Sequence, residues 1–274
     1  MSIAQPAYPA IQSRLRDYAP VLGIEVYDSL ESTNTLAKAS PHRDTPTLVI
    51  ARAQTGGRGR QGRSFHSPAG TGLYMTVAYT TARPLSEAVR VTAAAAVAAA
   101  AAIETLTDKR PAVKWVNDLY LNGGKLGGIL TEAVTRPDGR HRMIVGLGIN
   151  LTTADFPEGL RAPAASLFAP EEASLAAGDF PERLAGEIAR RLLELTEASE
   201  AGEFPRGMWG EACLAYYRRR LLYVGERVVC SRGSEVFEGT LLGVDEAYSL
   251  LVEREGGTVT LSSGEISVRP AEKI

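Results

Sequence analysis

Residues 47–63 have the sequence TLVIARAQTGGRGRQGR, in which an apolar run meets a basic glycine-rich segment. Residues 47–53 form a β-branched apolar run, which predicts a buried strand. The strand leads directly into a loop of alternating glycine and arginine. Glycines let the backbone turn its N–H groups towards an anion, and arginines add paired hydrogen bonds to phosphate oxygens. The alternative is a solvated basic loop, but a flexible charged loop at a strand end costs ordering entropy without a ligand. The junction predicts a phosphate-binding loop.

Positive charge is concentrated in this loop and not in the chain as a whole. Residues 51–67 contain four arginines and no acid, whereas the 274 residues contain 30 Lys+Arg and 32 Asp+Glu, a net charge of −2. A general nucleic-acid binder would carry a broad basic surface, so that class is disfavoured. The charge pattern instead favours a small anionic ligand.

The composition is that of a folded globular chain, with 45% hydrophobic and 23% charged residues. Its two cysteines, Cys213 and Cys230, are too few for a disulfide framework and are expected as buried thiols. The first 18 residues show no secretory signal, and the apolar run at 91–103 is shorter than the roughly 20 residues that span a bilayer. We expect a cytoplasmic protein without a membrane segment.

Apolar periodicity and turn residues predict an α+β domain followed by a β-only tail. Predicted helices cover residues 11–18, 32–39, 86–106, 180–200 and 208–219, with Ser32 and Ser86 as N-caps. Predicted strands cover 24–27, 47–53, 72–80, 112–121 (a strand near a turn), 125–134 and 141–151. From residue 225 onward, five short alternating segments predict a small β-barrel of about 50 residues. The predicted domains are therefore 1–222 and 223–274.

Two further motifs combine glycines with polar or charged residues. Lys114–Asp118 reads KWVND, and Asn117 and Asp118 could hold Mg²⁺ or a nucleotide phosphate, or form a plain turn. Lys125 lies between two glycine pairs, so that ligand or backbone can approach it on both sides; a surface lysine is the alternative. The third motif is GLGIN, an apolar strand that ends in Asn150.

Several common catalytic motifs are excluded. The loop contains a formal GxGxxG, but no helix follows it and no acid occurs before Glu87, so a dinucleotide-binding fold is disfavoured. Kinase, Walker A and GxSxG motifs are missing, and the three histidines are scattered without a metal-ligand spacing.

Five motifs together resemble those of the biotin–protein ligases in order and spacing. They are Ser32-Thr-Asn34, Gln54 with GRGRxGR to Arg63, KWxND at 114–118, KLxGI at 125–129 and GxGIN at 146–150. The tail at 264–273 also resembles the end of the bacterial members. The resemblance runs from about residue 24 to the end of the chain. Such an ordered set is far more specific than any single motif.

This resemblance implies a fold and a reaction. The fold is α+β: a catalytic domain like that of class II tRNA synthetases, with a mixed sheet, plus a small C-terminal SH3-like β-barrel. The reaction is an ATP-dependent ligation in which biotin forms biotinoyl-5′-AMP. The biotinoyl group then passes to a lysine of a biotin carboxyl carrier protein. Biotin, ATP and Mg²⁺ are the implied ligands.

The resemblance also implies roles for individual residues. Biotin binding is assigned to Ser32, Thr33, Asn34, Gln54, Arg58, Gly59, Arg60 and Lys125. ATP binding is assigned to Arg58, Arg60, Arg63, Phe65, Asn117, Asp118, Lys125 and Asn150. Catalysis is assigned to Lys125, Arg58 and Asp118, and Mg²⁺ to Asp118. Two positions depart from the family pattern, because Val116 replaces the usual proline and Phe65 the usual tryptophan.

Some ligases of this kind carry an N-terminal DNA-binding domain, but here the motifs begin by Ser32. We therefore expect a ligase without repressor function or a nucleic-acid partner, and the resemblance leaves a homodimer open. A lipoate or octanoyl ligase or transferase is the nearest rival, and the GRGRxGR segment favours the biotin branch. A non-catalytic nucleic-acid or transcription-regulator module is the rival from another class, and the acidic balance of the chain argues against it.

Overall fold

The computed structural model describes residues 8–14, 16, 22–39, 43–160, 162–196, 211–232, 234–262 and 266–271. The helices are α1 Tyr8–Arg14, α2 Thr33–Lys38, α3 Ala88–Leu106, α4 Phe180–Thr196 and α5 Cys213–Arg220. The strands of the first sheet are β1 Gly23–Tyr27, β2 Thr47–Ala51, β3 Gly72–Thr81, β4 Ala112–Lys114, β5 Asp118–Leu121, β6 Gly124–Thr135 and β7 His141–Asn150. The second sheet contains β8 Arg227–Arg232, β9 Glu235–Val244, β10 Leu250–Arg254, β11 Gly257–Leu261 and β12 Ile266–Pro270.

The first sheet is mixed, with the strand order β1-β2-β3-β7-β6-β5-β4. Strands β1 and β2 are parallel, since α2 and its flanking loops connect them, and the other neighbours are antiparallel. Residues 15, 17–18, 197–200 and 208–210 of the predicted helices lie outside the described residues. Within the described ranges, the predicted α+β class with a mixed sheet is confirmed.

Helix α3 is the core helix of the domain. Eight of its ten alanines are buried, and their small side chains let the helix lie close to its neighbours. Residues 85–106 are long and apolar enough to cross a membrane, but 67% of the apolar 18-residue window within them is buried inside the protein. The predicted Ser86 N-cap is wrong. A 3₁₀ turn at Leu85–Glu87 precedes the helix, and the Glu87 N–H bonds the Pro84 carbonyl instead.

The C-terminal sheet is antiparallel, with the order β11-β10-β9-β8-β12, which confirms the small β-domain predicted for the tail. It is attached to the first domain by specific contacts. The Trp115 indole N–H donates to the Tyr248 carbonyl (2.8 Å), and the Arg218 guanidinium donates to the Val244 carbonyl (2.8 and 3.0 Å). These contacts hold the β-domain beside the turn between β4 and β5. Cys213 and Cys230 are free and buried, as expected.

Candidate functional site

A cleft of about 180 Å³ lies on one face of the first sheet. Its walls come from the loop of residues 54–67 between β2 and β3, which we call the glycine–arginine loop, and from α2, the β4–β5 turn, β6 and β7. Twelve of the thirteen predicted site residues line this cleft: Ser32, Thr33, Asn34, Gln54, Arg58, Gly59, Arg60, Arg63, Phe65, Asn117, Asp118 and Lys125. The fold thus brings together residues up to 93 positions apart in the chain.

The floor of the cleft is a row of cross-strand partners. Lys114, Asp118, Gly128 and Gly148 pair in turn across β4, β5, β6 and β7, so they share one face of the sheet. A Cβ on Gly148 would come within 2.5 Å of the Phe65 ring. Glycine is therefore required there, because the aromatic ring lies directly on the strand backbone.

One end of the cleft is polar and uncharged. The Gln54 side-chain carbonyl accepts from the Thr33 backbone N–H (2.8 Å) and hydroxyl (3.3 Å), while its amide donates to the Ser67 hydroxyl (3.1 Å). Ser32 occupies the predicted N-cap position of α2, but its hydroxyl forms no capping hydrogen bond. The capping prediction is wrong. Gln54, 21 residues away, accepts from the N–H of Thr33, the first residue of the helix.

Asn34 is held at both ends of its amide. Its Oδ1 accepts from the Thr76 hydroxyl (2.7 Å), and its Nδ2 donates to the Leu130 carbonyl (3.2 Å) and to Glu132 (2.9 Å). Only 3% of Asn34 is exposed. These bonds make Asn34 a support of the cleft wall in this structure, and its predicted contact with biotin stays a prediction.

Sequence reasoning missed the two side-chain partners of Asn34, which are Thr76 and Glu132. Glu132 also pairs with Lys38. Burial raises the pKa of Glu132, but the hydrogen bonds from Lys38 and Asn34 outweigh burial, so that the pKa lies below its ordinary value. A signal was available, since Thr76 interrupts an apolar strand in the sequence LYMTVAY, and a polar residue that is fully buried needs a partner.

The opposite end of the cleft is charged. The Lys125 ammonium donates to Asp118 Oδ1 (2.8 Å), which also accepts from the Asn117 amide (3.1 Å). Arg60 donates to Asn117 Oδ1 (2.9 Å) and so ties the glycine–arginine loop to the β4–β5 turn. Burial lowers the pKa of Arg60, and the Asp118 carboxylate opposes that effect. The Trp115–Val116 peptide bond in the same turn is cis.

The glycine–arginine loop folds back on itself over the cleft. Phe65 N–H donates to the Gly57 carbonyl (2.8 Å) and Gly59 N–H to the Arg63 carbonyl (2.7 Å). Arg58 and Arg63 are exposed. The loop therefore presents the guanidinium groups of Arg58 and Arg63 to solvent. The Arg60 guanidinium instead donates to Asn117 inside the cleft.

Asn150 is the predicted residue that does not line the cleft. It lies at the end of β7, is 6% exposed, and its amide donates to the Ala165 carbonyl (3.1 Å). The segment it holds also pairs with the backbone of Lys125, whose N–H donates to the Pro163 carbonyl (2.7 Å). Asn150 thus supports the segment beside Lys125, a contact that the GLGIN motif alone does not reveal.

The C-terminal β-domain also reaches the cleft. Val268, on the last strand, is among the lining residues and is 5% exposed. Nothing in the local sequence around Val268 indicates this role, because it depends on how the β-domain sits against Trp115.

The predicted metal ligand is a single carboxylate. Among the residues that the structure describes, no three His, Cys, Asp or Glu side chains are grouped as a metal site. Magnesium commonly binds through one or two carboxylates together with substrate phosphates. Asp118 fits that mode, in which most of the ligands come from a nucleotide.

Two family models match the chain. The Biotin/lipoate A/B protein ligase family matches residues 26–150, and the Biotin protein ligase C terminal domain matches residues 223–269. A biotin--[acetyl-CoA-carboxylase] ligase of Mycobacterium tuberculosis is 30% identical over 259 residues, covering 89% of this chain and 88% of the relative. The Bacillus subtilis bifunctional ligase/repressor BirA is 39% identical over 145 residues, covering 52% of this chain. The matched region spans about half of that relative, 45%.

Solved structures of biotin protein ligases are also similar to this chain. A biotin protein ligase from Aquifex aeolicus, in complex with biotin and ATP, has a TM-score of 0.70 at 25% identity, covering 91% of this chain and 99% of that chain. A biotin protein ligase from Leishmania major, in complex with biotinyl-5-AMP, has a TM-score of 0.54 at 25% identity, covering 88% and 99%. The likeness therefore extends across both sheets.

Proposed function

The chain belongs to the biotin protein ligase family, and on that premise we propose that it activates biotin with ATP and transfers it to a lysine of a biotin carboxyl carrier protein. One observation carries the proposal. A single cleft joins an uncharged hydrogen-bonding end, at Thr33 and Gln54, to a charged end, at Asp118 and Lys125. Biotin has the matching character, with a neutral ureido head and an anionic carboxylate tail.

The first step joins two anions, so fixed cations must offset their repulsion. A biotin carboxylate oxygen attacks the α-phosphorus of ATP; the bond to the bridging oxygen breaks, and pyrophosphate leaves with the electron pair. Lys125 is proposed to lie between the carboxylate and the α-phosphate. Its bond to Asp118 (2.8 Å) holds the ammonium in place before substrate arrives. Groups held in advance stabilise developing charge without reorganisation.

In the second step the neutral ε-amine of a carrier lysine attacks the acyl carbon of biotinoyl-5′-AMP. The bond to the phosphate oxygen breaks, AMP leaves as an anion, and the amine loses a proton to solvent. Arg58 and Lys125 are proposed to stabilise that anion. The glycine–arginine loop covers the cleft and would keep water from the mixed anhydride.

The site is proposed to use ATP with Mg²⁺. Asp118 is the carboxylate that would hold the ion, and the bound ion would neutralise phosphate charge. Because Asp118 also accepts from Lys125, a substitution there affects both the ion and the lysine.

The family model for residues 26–150 includes lipoate ligases, which are the nearest rival. The match of residues 223–269 to the biotin-specific C-terminal model favours biotin. We also propose that a biotin carboxyl carrier protein is the partner, that the chain forms a homodimer and that it is cytoplasmic. Light scattering of the purified chain tests the dimer.

The test is biotin-dependent exchange of pyrophosphate into ATP, followed by the mass shift of a purified carrier domain. We expect Lys125→Ala to lose at least 100-fold in exchange, because removal of one such donor typically costs about 3 kcal/mol. Exchange by Lys125→Ala at the wild-type rate would remove Lys125 from the mechanism. Exchange that depends on lipoate and not on biotin would overturn the substrate assignment.

A further inference from the structure

The helix that carries the neutral end of the cleft is too short to hold its own position. Helix α2 has six residues, Thr33–Lys38, far below the length at which an isolated helix is stable in water. Its first turn is held by Gln54, which accepts from the Thr33 N–H (2.8 Å). Its last turn ends in Lys38, whose ammonium donates to Glu132 on β6. The proposed function uses the first of these anchors and leaves the second unexplained.

Glu132 joins this ion pair to the wall of the cleft. Its Oε1 accepts from Lys38, and its Oε2 accepts from the Asn34 amide (2.9 Å). An ion pair at a protein surface contributes little to stability. Here both charged side chains are partly buried, and the amide that shares the carboxylate belongs to a residue that is 3% exposed. A change at Lys38 therefore reaches a buried side chain that lines the cleft.

The charge of Glu132 decides which way the Asn34 amide faces. Asn34 Nδ2 lies between two groups that only accept, the Leu130 carbonyl (3.2 Å) and the ionised Glu132 carboxylate. A protonated carboxyl group can donate instead, and the amide then loses this constraint. A Cβ on Gly146 would lie 2.1 Å from Asn34 Oδ1, so the amide lies directly on the strand backbone. Any change in its orientation therefore alters the floor of the cleft.

The protonation state of Glu132 depends on its neighbours. Burial, the largest influence, raises the pKa of Glu132. Hydrogen bonds from Lys38 on α2 and from Asn34 lower this pKa, as do the charges of Lys38 and of Arg58 on the glycine–arginine loop. The cross-strand partner of Glu132 on β7 is the apolar Ile144. Removal of Lys38 therefore raises the pKa of Glu132 relative to wild type.

We infer that Lys38 is a positioning residue for biotin, which acts through Glu132 to hold Asn34 at the neutral end of the cleft. This inference rests on the proposed function. The Lys125–Asp118 pair lies at the opposite, charged end. Loss of Lys38 should therefore raise KM for biotin and leave kcat and KM for ATP unchanged, as expected when binding alone is weakened.

Biotin-dependent pyrophosphate release from ATP, measured between pH 8 and pH 5, tests this role. The variants are Lys38→Met, Lys38→Arg and the double variant Lys38→Met/Glu132→Gln, with Lys109→Met as the matched control. Lys109 also pairs with a glutamate, Glu172 (2.7 Å), and is not among the described residues that line the cleft. Each KM is divided by the wild-type KM at the same pH, so that the titration of the biotin carboxylate cancels.

We expect Lys38→Met to raise KM for biotin about fivefold near pH 8 and about 30-fold near pH 5, with kcat and KM for ATP within about twofold of wild type. The loss grows as pH falls because Glu132 then protonates in the variant before it does so in wild type. Lys38→Arg keeps the charge and the donor and should stay within about threefold at every pH. The double variant should show a KM ratio that does not change with pH, because no carboxyl group remains to protonate. Lys109→Met should match wild type.

A Lys38→Met protein with the wild-type KM for biotin at every pH would overturn the inference. Equal losses in kcat or in KM for ATP would also overturn it, because they indicate a loosened fold. A KM ratio for Lys38→Met that does not change with pH would contradict the role of Glu132. If the wild-type chain releases no pyrophosphate with biotin, it is the proposed function that fails.

Discussion

Thr76→Val tests whether the buried network behind Asn34 builds the cleft wall. Thr76 is fully buried, and its hydroxyl lies 2.7 Å from Asn34 Oδ1 and 2.8 Å from the Thr33 hydroxyl. The Asn34 oxygen can only accept, so the single Thr76 proton goes to Asn34. Valine has nearly the same shape, so the substitution removes the hydrogen bond without leaving a large cavity.

The substitution lowers the free energy of unfolding because it leaves Asn34 Oδ1 without its hydrogen-bond donor. A buried acceptor without a donor costs about 1–3 kcal/mol. For a chain of this size each kcal/mol lowers Tm by roughly 2–4 °C, so we expect a Tm about 4–8 °C lower for a loss near 2 kcal/mol. Asn34 and Thr33 then each lose one of the hydrogen bonds that hold them in position. If about 1.4 kcal/mol of that loss appears in binding, the Kd for biotin rises about tenfold.

The assays are thermal unfolding and calorimetric titration with biotin. Thr76→Ser retains the hydroxyl and should recover most of the biotin affinity. Thr240→Val is the matched control, because Thr240 lies half-buried in the C-terminal β-domain, far along the chain from the cleft strands. A Thr76→Val protein with wild-type Tm and wild-type biotin affinity would refute the reasoning, since the network would then contribute nothing measurable.

Two further predictions concern Glu132 and the glycine–arginine loop. The lowered pKa of Glu132 stabilises the fold at pH values above its ordinary range near 4.3, and that contribution disappears as pH falls through the lowered folded value. Denaturant unfolding from pH 7 to pH 3 should therefore show the advantage of wild type over Glu132→Gln shrinking below about pH 4; a pH-independent difference would contradict this. Trypsin should cleave after the exposed Arg58 and Arg63, and biotin with ATP should slow that cleavage. Equal cleavage with and without ligands would show that binding does not order the loop.

The local sequence pattern was sufficient to predict most of the helices and strands and the chemical character of the motifs. The β-branched run of β2, the alternation in β3 and the alanine tract of α3 depend on neighbours along the chain, and so they can be read from sequence. Helix starts were less predictable. Ser32 and Ser86 have the right residue type, but the Ser32 side chain forms no capping bond, and Ser86 lies inside a 3₁₀ turn that precedes the helix.

The amino-acid sequence alone established which residue types are available. These are a basic glycine-rich loop, two lysines near carboxylate and amide side chains, and two regions of different character. Which of these residues come into contact depends on the three-dimensional fold. Thr76 and Glu132 reach Asn34 across 42 and 98 residues, and Val268 reaches the cleft from the other domain. These contacts depend on how the strands pair. Alternation along a strand tells which side chains share a face, but the partner strand and its register depend on contacts distant in the chain.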